Sequence, residues 1–369
     1  SQHPFIIMMW GVGGVMGPIL GPTFGGLVSE LLNWRWTFFL ILPLGVIAGL
    51  MVVLALTDRE KGTAQRFDHV GFVFIGLAIA GIQLMFDRGQ RNDWFQSPEI
   101  IAEALVAAVF SIMFAIHLAT APAPIFQPSL FRDRNFVVGT ALVLVMGMLQ
   151  YTPMVLFPPL LQDLMGYPEA AIGYLIAARG LGNLASFCVV AQLTRINPRL
   201  CLCLGLGIQA IAGLWMGSLG MTFSSQDVMW SNILHGVGFG LCYTPMAVLS
   251  FSTLPVPLMT QGNALFSLIR MLGSSIFVSL TLIVFAHSTA EASVHLASSV
   301  TLFTRDLLGP WIAIFGDPGG RDVLARLASE IQRQSSMIGF INAFHLLTLV
   351  PMATVPLALL FVVNRAPGR

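Results

Sequence analysis

Ten apolar runs, each near the twenty residues a helix needs to cross a hydrocarbon core, fill most of this 369-residue chain. They lie at 4–28, 36–57, 70–86, 98–119, 135–161, 168–194, 199–222, 228–254, 260–286 and 335–363. Only 9% of the residues are charged, against about 25% in a soluble chain. That is too little to clothe a folded surface in polar groups, so lipid is the expected solvent. The fold class expected is an all-α polytopic membrane protein. A net charge of +1 leaves no nucleic-acid footprint. Cys188, Cys201, Cys203 and Cys242 lie in apolar runs without metal-ligand or disulfide spacing and read as small buried hydrophobes. No P-loop, HExxH, GxSxG or paired-cysteine motif occurs, so neither an enzyme nor a metal site is expected.

Loop charges orient the spans. Alternate connections carry Arg59, Lys61 and Arg66, then Arg132 and Arg134, then Arg195 and Arg199, and the tail carries Arg365 and Arg369. The opposite connections carry Arg35, Arg88 and Arg91. Basic residues collect on the cytoplasmic side, so the N-terminal end and the C-terminus are both expected there. The long polar connection 287–334 then faces outward, and "DVLARLASEIQRQ" within it has the periodicity of a helix.

Two basic residues fall well inside spans: Arg179 in "YLIAARGLGNL" and Arg270 in "LFSLIRMLGSS". Such charges face a bundle interior or a water-filled cavity. Each is either a contact for substrate or coupling ion or an interior clamp on helix-end carbonyls. His235, in "SNILHGVGFGL", is either a group that titrates near neutral pH or a packing histidine. Gln150 and Tyr151 in "GMLQYTPM", Tyr243 in "LCYTPM" and Asn263 in "QGNALFS" are candidates to line a substrate cavity. Met146, Met148 and Met154 suit either an adaptable pocket or plain packing. None of the 17 acidic residues sits in the middle of a span. A carrier driven by protons normally keeps an acid at membrane depth, so either this chain does not use one or that acid lies outside it.

The first run, "GVGGVMGPILGPTFGG", is crowded with residues that damage helices in water, glycine by about 1 kcal/mol and proline by about 3. In a bilayer helices associate by close packing, and small residues allow it. Gly13, Gly17, Gly21 and Gly25 recur every four residues and form one groove, while Pro18 and Pro22 supply kinks.

This run also resembles the antiporter signature of drug-exporting major facilitator transporters, with Gly17, Gly21, Pro22, Gly25 and Gly26 filling a Gly-x-x-x-Gly-Pro-x-x-Gly-Gly pattern beside Pro18. "NWRWTFFLILPLG", "FDHVGFVFIGLAIAGIQLMFDRGQRNDWF", "SLFRDRNF" and "IRMLGSSIF" resemble further segments of the fourteen-helix drug:proton antiporter branch, in the same order. The chain is therefore similar to the EmrB/QacA type, nearest to EmrB-like exporters. Ile41, Ala178, Ser274 and Phe277 depart from residues usual in that type.

The resemblance implies a major facilitator fold with about ten of fourteen helices present, the first run being helix five. Residues 1–57 would close the N-terminal six-helix bundle, 58–125 would form two extra linker helices, and 126–369 the C-terminal bundle. It implies proton-coupled export of hydrophobic or amphipathic toxic compounds across the bacterial inner membrane, with no cofactor beyond the proton gradient. A periplasmic adaptor and an outer-membrane channel are the partners it allows. Export of a metabolite, fatty acid or siderophore-like compound, a docking subunit, and an inactive fragment remain open as alternatives.

Overall fold

The computed structural model describes residues 21–55, 67–299 and 321–362. Gly13, Gly17 and Pro18 therefore lie outside the described residues, as do Arg365 and Arg369. The helices are α1 (described over 21–31), α2 (Trp34–Phe39), α3 (Ile41–Ala55), α4 (His69–Gly89), α5 (Pro98–Thr120), α6 (Arg134–Pro159), α7 (Glu169–Ile196), α8 (Pro198–Gly217), α9 (Ser225–Phe251), α10 (Met259–Ser299) and α11 (Arg321–Leu359). No strand occurs among the described residues, and nine helical segments among them are long and apolar enough to cross a membrane. This is the all-α membrane architecture expected of the apolar runs, since only helices satisfy their own backbone within one segment of lipid-exposed chain.

Local chemistry sets the helix ends. Asp133 accepts from the Phe136 N–H at 2.8 Å to start α6, Asn197 accepts from Leu200 at 3.2 Å to start α8, and Ser224 with Asp227 forms a capping box on α9. The run expected at 36–57 is broken at Leu40 into α2 and α3. Pro43 has no N–H to give the Phe39 carbonyl, so the ladder is interrupted there. Pro158 and Pro159 end α6 in a π-helical turn, Leu160–Leu164.

The core lies among α6 to α11. α9 packs between α7 and α8, α6 packs on α9 and α10, and α11 spans α8 and α10. Leu142, Met146, Leu149, Phe157, Leu206 and Phe344 are fully enclosed there. α4 and α5 form a separate hairpin, close enough that a side-chain carbon on Gly81 would stand 2.7 Å from the Ala107 nitrogen.

Asp68 fastens this hairpin to the bundle. Its carboxylate caps α4 through the Gly71 N–H at 2.9 Å, meets His117 Nε2 of α5 at 2.9 Å and accepts from the Ile125 N–H at 3.0 Å on the approach to α6. Burial alone would raise its pKa, but the bonds from Gly71, His117 and Ile125 outweigh that and lower it. A lowered carboxyl pKa stabilises the fold above the unfolded value, about 3.9, and the contribution fades as pH falls through the folded value. Asp68→Asn keeps the cap but loses the ionised acceptor that His117 and Ile125 meet, and should therefore cost about 1 kcal/mol at pH 7. In detergent melts the gap from the parent protein should close below about pH 4; a gap independent of pH would contradict it.

The polar connection 287–334 carries the helix read from "DVLARLASEIQRQ", which forms the start of α11. α10 runs on to Ser299 and α11 begins at Arg321, so both ends of that segment are helical. At 1.5 Å per residue, 41- and 39-residue helices reach about 60 Å, twice the hydrocarbon thickness. They hold together through the Phe285 and Phe340 rings, with centroids 4.5 Å apart.

Candidate functional site

Two crossings of glycine-bearing helices bring the two intramembrane arginines to one residue. Where α6 meets α10, a side-chain carbon on Gly147 would stand 2.6 Å from the Ser274 nitrogen, and one on Gly273 would stand 2.6 Å from the Leu144 carbonyl carbon. Where α7 meets α9, one on Gly182 would stand 2.8 Å from the Ile233 carbonyl carbon, and one on Gly236 would stand 2.9 Å from that of Arg179. Backbones in contact at both crossings hold the helices that carry Arg179 (α7) and Arg270 (α10), and both side chains reach α6 at Gln150.

Gln150 serves both. Arg270 Nη1 donates to the Gln150 side-chain oxygen at 2.9 Å. Arg179 Nη1 donates to the Gln150 backbone carbonyl, and its Nη2 donates to the Leu149 carbonyl at 3.3 Å. The Leu149 carbonyl is available because Pro153, four residues on, has no N–H for it. The proline that weakens α6 thus opens a seat for a guanidinium. Arg179 is 9% exposed and also lies over the Phe239 ring, 5.3 Å from its centroid, and Phe239 stacks on Tyr243 at 5.7 Å.

Neither guanidinium meets a carboxylate among the described residues. The ion pairs found there join Arg88 to Glu99 and Glu103, His117 to Asp68 and Arg333 to Glu330. Arg270 Nε is buried without an acceptor.

The remaining sequence candidates divide. Tyr151 is exposed beside Gln150, and Tyr243 is half-buried in the aromatic stack. Asn263 is exposed near the start of α10, about two turns from Arg270, and does not join the cluster. His235 is fully enclosed; its carbonyl accepts from Gln209 Nε2 at 3.1 Å, and neither ring nitrogen has a protein partner. Cys201 and Cys242 are buried as read from the sequence, but Cys188 is exposed.

A model of the Major Facilitator Superfamily matches residues 1–278. The chain belongs to that superfamily. It is 29% identical to multidrug export protein EmrB of Escherichia coli strain K12 over 308 residues, 82% of this chain and 60% of the relative. It is 26% identical to the probable multidrug resistance protein EmrY of the same organism over 355 residues, 94% and 68% of the two chains. It is 28% identical to fatty acid resistance protein FarB of Neisseria gonorrhoeae over 312 residues, 83% and 61%. The chain thus spans about 60% of the length of most of these curated relatives.

In this superfamily member the described part of the glycine-rich signature packs on α7. A side-chain carbon on Gly26 would stand 2.6 Å from the Glu169 carbonyl oxygen, and one on Gly173 would stand 2.5 Å from that of Pro22. Glu30 accepts from the Ala170 N–H at 2.9 Å, capping a helix whose own N-cap, Pro168, has no side chain to do so. Of the four-residue groove read from the sequence, only Gly21 and Gly25 lie among the described residues. Gly21 faces nothing within 4 Å and Gly25 only Thr37 at 3.8 Å, because the helix turns its Pro22–Gly26 face to α7. A cavity of about 380 Å³ opens beside this contact, lined by Pro22, Gly26, Met154, Pro158, Gln162 and Glu169 among others.

Sequence reasoning missed Pro153, Phe239, Gly173 and Glu30. Pro153 carried a signal, since a proline inside a membrane helix frees a carbonyl four residues back. The others carried none, because each acts through a partner distant in the chain.

Proposed function

We propose that this chain forms the greater part of a secondary exporter that moves hydrophobic or amphipathic toxic compounds out of the cytoplasm in exchange for protons. The observation that carries this reading is the pair of arginines held at Gln150 in the interior of the bundle. Charges at membrane depth are expensive and mark substrate or ion pathways, and the site joins α6, α7 and α10. The resistance functions named for EmrB, EmrY and FarB support export as the direction. No cofactor is involved in this reading; the proton gradient supplies the energy.

In this proposal residues 1–57 belong to the N-terminal bundle, 58–125 to the linker helices and 126–369 to the C-terminal bundle, and the two bundles rock about the central site. The basic connections Arg59–Arg66, Arg132–Arg134 and Arg195–Arg199 support a cytoplasmic C-terminus, in a bacterial inner membrane. The extended ends of α10 and α11 then project outward and are the surface a periplasmic adaptor feeding an outer-membrane channel would meet.

The test is Arg270→Ala in the full-length gene product. Losing a hydrogen bond to a charged group costs about 1.5–3 kcal/mol, which is roughly a tenfold to hundredfold effect. Drug-dependent proton flux in proteoliposomes should fall by that factor while the variant still reaches the membrane. Unchanged flux removes Arg270 from the coupling machinery.

A further inference from the structure

We infer that His235, held with Asn232 and Gln209 inside the bundle, is a proton-binding site, and that a proton there works against the seat of Arg179 on α6. This rests on the transport reading above and names a group that would carry its proton.

The first ground is a count of idle polar atoms. His235, Gln209 and Asn232 are 0%, 0% and 1% exposed. Both His235 ring nitrogens, the Gln209 side-chain oxygen and the Asn232 side-chain oxygen have no hydrogen-bond partner among the described residues. Each such atom costs about 1–3 kcal/mol, and a histidine that only fills space would keep its ring N–H bonded. The two amide nitrogens are already engaged. That of Gln209 donates to the His235 carbonyl at 3.1 Å, and that of Asn232 donates to the Val228 carbonyl at 2.9 Å. Two acceptor oxygens are left over. An imidazolium has two N–H donors and no acceptor, so the protonated ring is the form these oxygens can serve, directly or through an ordered water.

The second ground is placement. Asn232, His235 and Phe239 succeed one another at three and four residues on α9 and share one face. Gln209 of α8 is pressed against α9 at this level, where a side-chain carbon on Gly238 would stand 3.0 Å from its Cγ. Arg179 of α7 lies over Phe239, and its charge acts on the His235 ring. The other titratable groups stand farther off. Cys201 and Cys203 on α8 are about two turns from Gln209, and Asp227, Cys242 and Tyr243 on α9 are about two turns from His235. α6 offers Tyr151, and His345 of α11 lies against Gly217.

The third ground is charge. Arg179 reaches the carbonyls of Leu149 and Gln150, both neutral. A proton on His235 adds a second cation about one turn away, and like charges in a low-dielectric interior repel. The imidazolium therefore disfavours the bonds that draw α7 onto α6, and the seated Arg179 disfavours the proton. The proton passes from water to the lone pair of a ring nitrogen and returns to water; no other bond changes. Because His235 is fully enclosed, that exchange requires the bundle to open, so proton movement is tied to a change of arrangement.

The experiment uses the full-length gene product labelled with 15N-histidine in proteoliposomes. Solid-state NMR reads the ring, and His235→Gln assigns its signal. The ring should pass from neutral to doubly protonated between about pH 8 and pH 5. Arg179→Gln should raise the proton affinity of His235 by about tenfold, while Arg179→Lys, which keeps the charge, should leave it near that of the parent protein. Gln209→Leu and Asn232→Leu should each lower it by about tenfold, the scale of one charged hydrogen bond. With rhodamine 6G as the transported probe, His235→Gln should lose rhodamine-dependent proton flux and still exchange rhodamine for rhodamine across the membrane.

A ring that stays neutral down to pH 5 in the parent protein overturns the inference, and that result depends on no variant folding. Equal proton affinity in Arg179→Gln and Arg179→Lys overturns the link to Arg179. Rhodamine-dependent proton flux with a neutral His235 would leave the transport reading standing and this inference refuted. A His235 that titrates and answers to Arg179, with no rhodamine-dependent flux, would do the reverse.

Discussion

Gly273→Leu should strongly destabilise the described bundle. A side-chain carbon at Gly273 meets only backbone: the Leu144 carbonyl oxygen, its carbon at 2.6 Å and the Leu144 Cα at 2.7 Å. No flexible side chain is there to yield, so α6 and α10 must separate. Overpacking costs about 1–3 kcal/mol even where side chains can give way, and in lipid the loss of close packing is not offset by any hydrophobic gain. The loss should reach the site as well, because the same crossing holds Arg270 at Gln150. Thermal unfolding in detergent should move down by several degrees, and the Arg270-dependent part of transport should go with it. Gly207→Leu makes a fitting control, since nothing lies within 4 Å of a side-chain carbon there. Equal melting of the two variants would show that the crossing at Gly273 is not tight.

Gly26→Leu should act on transport rather than on stability. Gly26 touches the first turn of α7 at Glu169, next to the bond between Glu30 and the Ala170 N–H. In the proposed transporter α1 and α7 belong to opposite bundles, so this contact closes one end of the pathway. A leucine wedged there disfavours the closed arrangement by about 1–3 kcal/mol, a population shift of roughly fivefold to hundredfold. Transport should fall by about that factor while insertion and melting temperature stay near those of the parent protein. Gly21→Leu should be silent by comparison, because nothing faces Gly21 within 4 Å. If Gly21→Leu blocks transport as strongly as Gly26→Leu, the four-residue groove is the working surface after all.

The contrast between Gly21 and Gly26 marks how far the sequence could be read. The repeat at Gly13, Gly17, Gly21 and Gly25 defines a face of an isolated helix, which is a property of one segment and its 3.6-residue turn. Which face meets a neighbour depends on the rotation of α1 against α7, and the matching glycine, Gly173, stands more than 140 residues away. Similarly, the run at 287–334 reads as polar and partly helical, and its described ends, 287–299 and 321–334, continue α10 and α11, which pack through Phe285 on Phe340. Polarity there reports exposure to water, and says little about whether the backbone is regular.

The sequence alone determined the solvent of this protein, its all-helical class and the position of its spans, because the cost of an unpaired backbone group in lipid leaves few structures to choose from. It also singled out Arg179, Arg270 and Gln150, since a charge or amide inside an apolar run stands out in one dimension. Only the tertiary structure decided that these three form one site. Their meeting requires α6 to touch α10 at Gly147 and Gly273, and α7 to touch α9 at Gly182 and Gly236. Contacts of that kind are set by pairs of helices crossing, and no single segment contains them.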